Sequence, residues 1–95
     1  MAFELPRHVD VLGVRYSVSE DSVEPGEDGY CSPARCRIGV RPGLPLDKRR
    51  QVFLHELVHA ILDQLACEDE YADERLVQGL AIGLDQALAS ITSSS

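Results

Sequence analysis

Val52, Leu54, Leu57, Val58, Ile61, Leu62 and Leu65 crowd one short stretch of the chain. A helix that buries a single stripe spaces its apolar residues more sparingly, so this density predicts a helix covered on more than one side, between a sheet and a second helix. Pro45 suits its opening, and Asp47 falls in its first turn, where a carboxylate faces the helix dipole favourably. In a chain of 95 residues everything else must be arranged around that helix. One core fits and a second domain does not, giving a single expected domain over residues 1–91.

The flanking segments supply the partners. Val9 to Leu12 and Val14 to Val18 alternate in polarity around Gly13 and read as a hairpin. Ser19 to Gly29 is acidic, holds Pro25-Gly26 and Asp28-Gly29, and reads as an exposed loop. Cys36 to Val40 returns to strand character before Pro42-Gly-Leu-Pro45 stops it. Beyond Glu68-Asp-Glu70, the residues Val77, Leu80, Ala81, Leu84 and Leu88 recur at three and four and mark one apolar face of a second helix. Gly79 and Gly83 on that helix suggest close helix contact. Thr92 to Ser95 has no apolar anchor and is expected to be a disordered tail.

Composition excludes several function classes. Nine Lys and Arg against 16 Asp and Glu give a net charge of −7, which opposes a grip on phosphate backbones and argues against nucleic acid. The apolar runs are far shorter than the roughly 20 residues a membrane span needs, and no basic-then-apolar leader opens the chain. Three cysteines without a CxxC pair fit a reducing, cytoplasmic setting better than a disulfide framework, although a Cys31–Cys36 bond is geometrically feasible.

Within the dense helix lies His55-Glu56-Leu57-Val58-His59, an HExxH motif. Shuffling this composition produces the pattern in roughly one chain in two hundred, and its helical setting makes it stronger than the bare match. Residues four apart stand about 40° apart around a helix and about 6 Å along it, so both imidazoles can reach one metal ion. Glu56 is rotated about 100° from His55 and about 60° from His59, beside the ion rather than on it. Metal-assisted hydrolysis needs that arrangement: zinc lowers the pKa of water, and an adjacent base takes its proton. The structural alternative is two buried histidines with Glu56 in an ion pair, a costly burial without a metal.

Two histidines leave a zinc site incomplete. The metzincin solution requires Gly and His where this chain has Leu62 and Leu65. His8, near the N-terminus, reads as a surface residue. Carboxylates at the start of the second helix are better placed, and Asp69, Glu70, Asp73 and Glu74 all remain open on the helical wheel. Asp63, one turn beyond His59, suits a partner that orients a histidine.

The segments Ile38 to Val40, Phe53 to Leu62 and Glu74 to Ala81 resemble the small gluzincin-type metallopeptidases of the ImmA/IrrE group, especially their short phage-encoded members. The resemblance spans roughly residues 9 to 90, with its specific anchors in the second half. Glu74, followed by Val77, Leu80 and Ala81, matches the family's register after HExxH, so the resemblance implies Glu74 as third ligand beside His55 and His59. It further implies an α+β fold: a small twisted, mostly antiparallel sheet packed on a central HExxH helix, with a second, C-terminal helix. An exposed edge strand, expected at Arg37 to Val40 with Gly39 permitting close approach, would pair with extended substrate. Tyr30 and Tyr71 are candidate donors to an oxyanion. Larger members carry further domains, so a shallow cleft is expected here.

The expected activity is a zinc-dependent endopeptidase acting on a peptide or protein, with Glu56 as general base and acid. The alternative is a metal-bound module that grips a peptide or protein without efficient turnover.

Overall fold

The computed structural model describes residues 4–93, and side chains as far as residue 91. Four strands form one sheet: β1 (His8–Val11), β2 (Val14–Glu20), β3 (Gly29–Ser32) and β4 (Arg37–Val40). Three helices follow, α1 (Leu46–Gln64), the short α2 (Glu68–Tyr71) and α3 (Glu74–Ser93). The fold is α+β, with a mostly antiparallel sheet on a central helix. The first three residues of the expected 1–91 domain, and residues 94 and 95 of the expected tail, lie outside the described residues; Thr92 and Ser93 continue α3.

Strands β1 and β2 form the expected hairpin, with Val11 paired to Val14. Leu12 belongs to the turn rather than the strand, because Leu12 (φ 49°) and Gly13 (φ 89°) both take the left-handed conformation that a tight two-residue hairpin turn demands. The sheet order is β1-β2-β4-β3, with β2 and β4 parallel and β3 antiparallel to β4. This corrects the expected edge: Arg37–Val40 is an interior strand, hydrogen-bonded on both sides, and the edge nearer the HExxH helix is β3. Ile38, Gly39 and Val40 are all buried, as an interior strand requires.

Helix α1 lies between the sheet and α3, as its apolar density demands. Val11, Tyr16, Val18, Ile38 and Val40 from the sheet meet Val52, Phe53, Leu54 and Ala60 of α1 in one buried cluster, which Ala81 of α3 joins. The apolar face of α3 is only partly covered. Val77, Ala81 and Asp85, spaced by four, are buried, whereas Leu80, Leu84 and Leu88 are 45%, 41% and 46% exposed. The expectation of close helix contact at Gly79 and Gly83 is also corrected, since a Cβ at either position would meet nothing within 4 Å. Asp85 is buried against Arg50 of α1 in an ion pair that ties the two helices together.

One feature of β3 brings the sheet onto the HExxH turn. A Cβ on Gly29 would lie 2.6 Å from Val52 Cγ1 and 3.4 Å from Glu56 Cγ, so glycine permits the close approach of strand and helix at that point. Gly39 serves a different purpose from the one expected: the Tyr30 ring occupies the space its Cβ would fill. No helix of the described residues is long and apolar enough to cross a membrane.

Candidate metal centre

His55 and His59 stand on successive turns of α1, their ring centroids 5.1 Å apart. Glu74, the first residue of α3, reaches between them. Its Oε2 is 3.0 Å from His55 Nε2, and its Oε1 is 3.0 Å from His59 Nε2. One ligand atom from each of the three lies within 4.8 Å of the others, so the group could hold a metal ion. A tetrahedral zinc site with bonds of about 2.0–2.1 Å has ligand atoms about 3.3 Å apart; each histidine stands 3.0 Å from Glu74, though from a different oxygen of its carboxylate.

The alternatives for the third position fall away for identifiable reasons. Asp73 is occupied as the cap of α3: its Oδ1 accepts the Leu76 N–H at 3.1 Å. Asp69 and Glu70 are exposed on α2, and neither they nor His8, exposed on the far strand of the sheet, joins the cluster. Asp63 is exposed and makes no hydrogen bond to either histidine.

The residue that sequence reasoning missed is Gln78. His55 Nδ1 lies 2.7 Å from Gln78 Oε1. An amide oxygen only accepts, so Nδ1 donates to it and Nε2 is left to face Glu74. A metal ion or a proton on Nε2 satisfies the 3.0 Å contact between that nitrogen and the Glu74 oxygen. The spacing Glu74-x-x-x-Gln78 on one helical face was the available signal. His59 Nδ1 is buried without a hydrogen bond of regular geometry, although the Tyr71 carbonyl is near enough to favour a proton there. Burial pulls the His59 pKa below its ordinary value, against the opposing pull of Glu74, and so favours the neutral ring that a metal needs.

Glu56 is 8% exposed and has no hydrogen bond or ion pair among the described residues. Burial pushes its carboxyl pKa up to about 7; His55 opposes the shift, and the negative charges of Glu74 and Glu27 add to it. It lines a cleft of about 810 Å³ together with His55, His59, Glu74 and edge-strand residues Gly29 to Cys31. Of the two tyrosines considered as oxyanion donors, Tyr30 donates its hydroxyl to Asp21 Oδ2 at 2.7 Å. Tyr71 packs its ring 4.6 Å from that of His59; burial, and then the neighbouring Cys31, push its pKa up to about 12. Burial pushes the Cys31 pKa up to about 12, so this thiol stays protonated, and all three cysteines are free.

Fold and site together define an α+β chain whose helix–helix junction presents a His-His-Glu cluster able to hold a metal ion. Comparison with family models, with curated proteins and with solved structures finds no match for the chain.

Proposed function

We propose that the chain is a zinc-dependent endopeptidase of zincin type, related to the ImmA/IrrE group, that hydrolyses bonds in a peptide or protein. His55, His59 and Glu74 hold the ion, and Glu56 is general base and then general acid. The observation that carries this reading is the pairing of two Nε2 atoms with the two oxygens of one carboxylate, next to a buried carboxylate that has no partner. Imidazole and carboxylate donors suit zinc. When bound, zinc supplies Lewis-acid activation of a water and of the scissile carbonyl.

The chain's own residues do the rest. Glu56 takes a proton from the attacking water and returns it to the leaving amine. Gln78 fixes the His55 ring through Nδ1. The free edge of β3 offers backbone N–H and C=O groups to an extended peptide, the role first expected of Arg37–Val40.

Glu56→Gln is expected to keep zinc and to lose about 100-fold or more of the parent's hydrolysis of a denatured protein mixture, while a chelator abolishes the parent activity. Equal cleavage by the variant overturns the role given to Glu56. A second reading is a metal-bound module that holds a peptide or protein without efficient turnover. It is favoured by one observation: the Tyr30 hydroxyl is committed to Asp21, which keeps that phenol from meeting an oxyanion. Metal-dependent peptide binding without cleavage distinguishes it.

A further inference from the structure

Five carboxylates cluster between the end of β2 and the start of β3, and they divide into two kinds. Glu20 lies 3.4 Å from Arg49. Asp21 accepts the Tyr30 hydroxyl at 2.7 Å and the Ser22 N–H at 2.8 Å. Asp28 lies 3.5 Å from Lys48 Nζ and 3.9 Å from Arg41 Nε. Glu24 and Glu27, by contrast, have no side-chain hydrogen bond or ion pair among the described residues. These two line the 810 Å³ cleft at the metal centre. Glu27 also borders a second cleft of about 240 Å³ that shares Gly29, His55, Glu56 and Glu74 with the first.

The backbone that carries the two residues is a braced turn. Glu27 N–H donates to the Glu24 carbonyl at 2.9 Å across Pro25-Gly26, with Gly26 at φ 87°. At the end of the loop, Arg41 N–H donates to the Asp28 carbonyl at 2.8 Å. No Lys or Arg lines the larger cleft. Independently, the 8%-exposed Glu56 turns an unpartnered carboxylate to the same space, which marks the cleft as a place where a ligand completes the polar contacts.

We propose that Glu24 and Glu27 are specificity-determining residues that receive a lysine or arginine side chain of an extended peptide lying beside β3, next to the bond presented to the metal centre. This inference rests on the peptide-processing reading of the site and names its substrate class. A peptide cation entering the cleft meets two carboxylates that no internal cation neutralises, whereas an acidic side chain meets like charge. The net charge of −7 steers basic segments toward the chain from a distance.

The test pairs binding with cleavage. Two fluorescent octapeptides of Ala, Gly and Leu, one with a central Lys and the other with Gln in its place, are titrated into zinc-loaded Glu56→Gln protein. In parallel, the zinc-loaded parent digests a denatured protein mixture, and the cut sites are read by mass spectrometry. The Lys peptide is expected to bind about 3–10-fold more tightly than the Gln peptide. That preference should fall below about twofold when Glu24→Gln and Glu27→Gln are added, or in about 0.5 M salt. Cuts should cluster at a fixed distance from Lys or Arg. Equal binding of the two peptides, or no binding of either, overturns the inference. Cleavage without a basic preference also overturns it while leaving the peptidase reading intact. Charge-selective binding that depends on Glu24 and Glu27, without any cleavage, supports the inference and removes turnover instead.

Discussion

Three side chains fix the chemistry of His55. Glu74 meets Nε2, Gln78 meets Nδ1, and the His59 ring stands edge-on beside it. Gln78→Leu keeps the bulk of the side chain but removes the acceptor that orients the ring. It is expected to weaken zinc binding about 10–100-fold, read by competition with a chromophoric chelator; unchanged affinity contradicts the orienting role. Glu56 makes a separate prediction for the metal-free protein. Its folded pKa is raised, so its contribution to stability is fully present below the ordinary carboxylate value of 4.5 and is lost as pH rises through about 7. Glu56→Gln cannot ionise and escapes that loss. In chelator, denaturant unfolding should show the variant more stable than the parent by about 1–3 kcal/mol at pH 8, with the advantage gone near pH 4.5. An advantage independent of pH contradicts the assignment.

Among the elements, what was legible in the sequence follows from length and period. Helix α1 announced itself through seven crowded apolar residues, and the hairpin through Gly13. The four-residue β3 and α2 were too short to display a period, and the choice of sheet edge failed with β3. A clue was present in Ile38-Gly-Val40, an unbroken apolar run of the kind that interior strands carry. Resemblance selected Glu74 among four acids, and the physical reason stands beside it in the sequence: Asp73 is consumed as the cap, leaving the next residue to reach the histidines. The end of α1 was hidden because it lacks the usual glycine. Cys67 N–H bonds the Leu62 carbonyl and Ala66 N–H the Asp63 carbonyl, a Schellman closure with Ala66 at φ 57°. Ala66→Gly is therefore expected to stabilise the fold by about 0.5–1 kcal/mol in denaturant unfolding, the relief of left-handed strain exceeding the entropy that glycine adds to the unfolded chain. A loss of stability contradicts that account of the cap.

At the scale of the molecule, the antiparallel pair α1 and α3 is fastened at two places. Arg50 and Asp85 join one end of the interface, and His55, His59, Glu74 and Gln78 meet at the other. Neither Arg50 nor Asp85 stood out in the sequence, because a lone acid on an apolar face shows its partner only once the helices are docked. The sheet presses on the opposite side of α1, with Gly29 admitting β3 against Glu56, so the edge strand, the buried acid and the metal ligands open on one cleft. Metal content measures the central claim most directly. Protein purified without chelator is expected to carry about one zinc ion per chain by elemental analysis, and His55→Ala essentially none. A parent free of stoichiometric divalent metal, or a variant that retains it in full, contradicts the account.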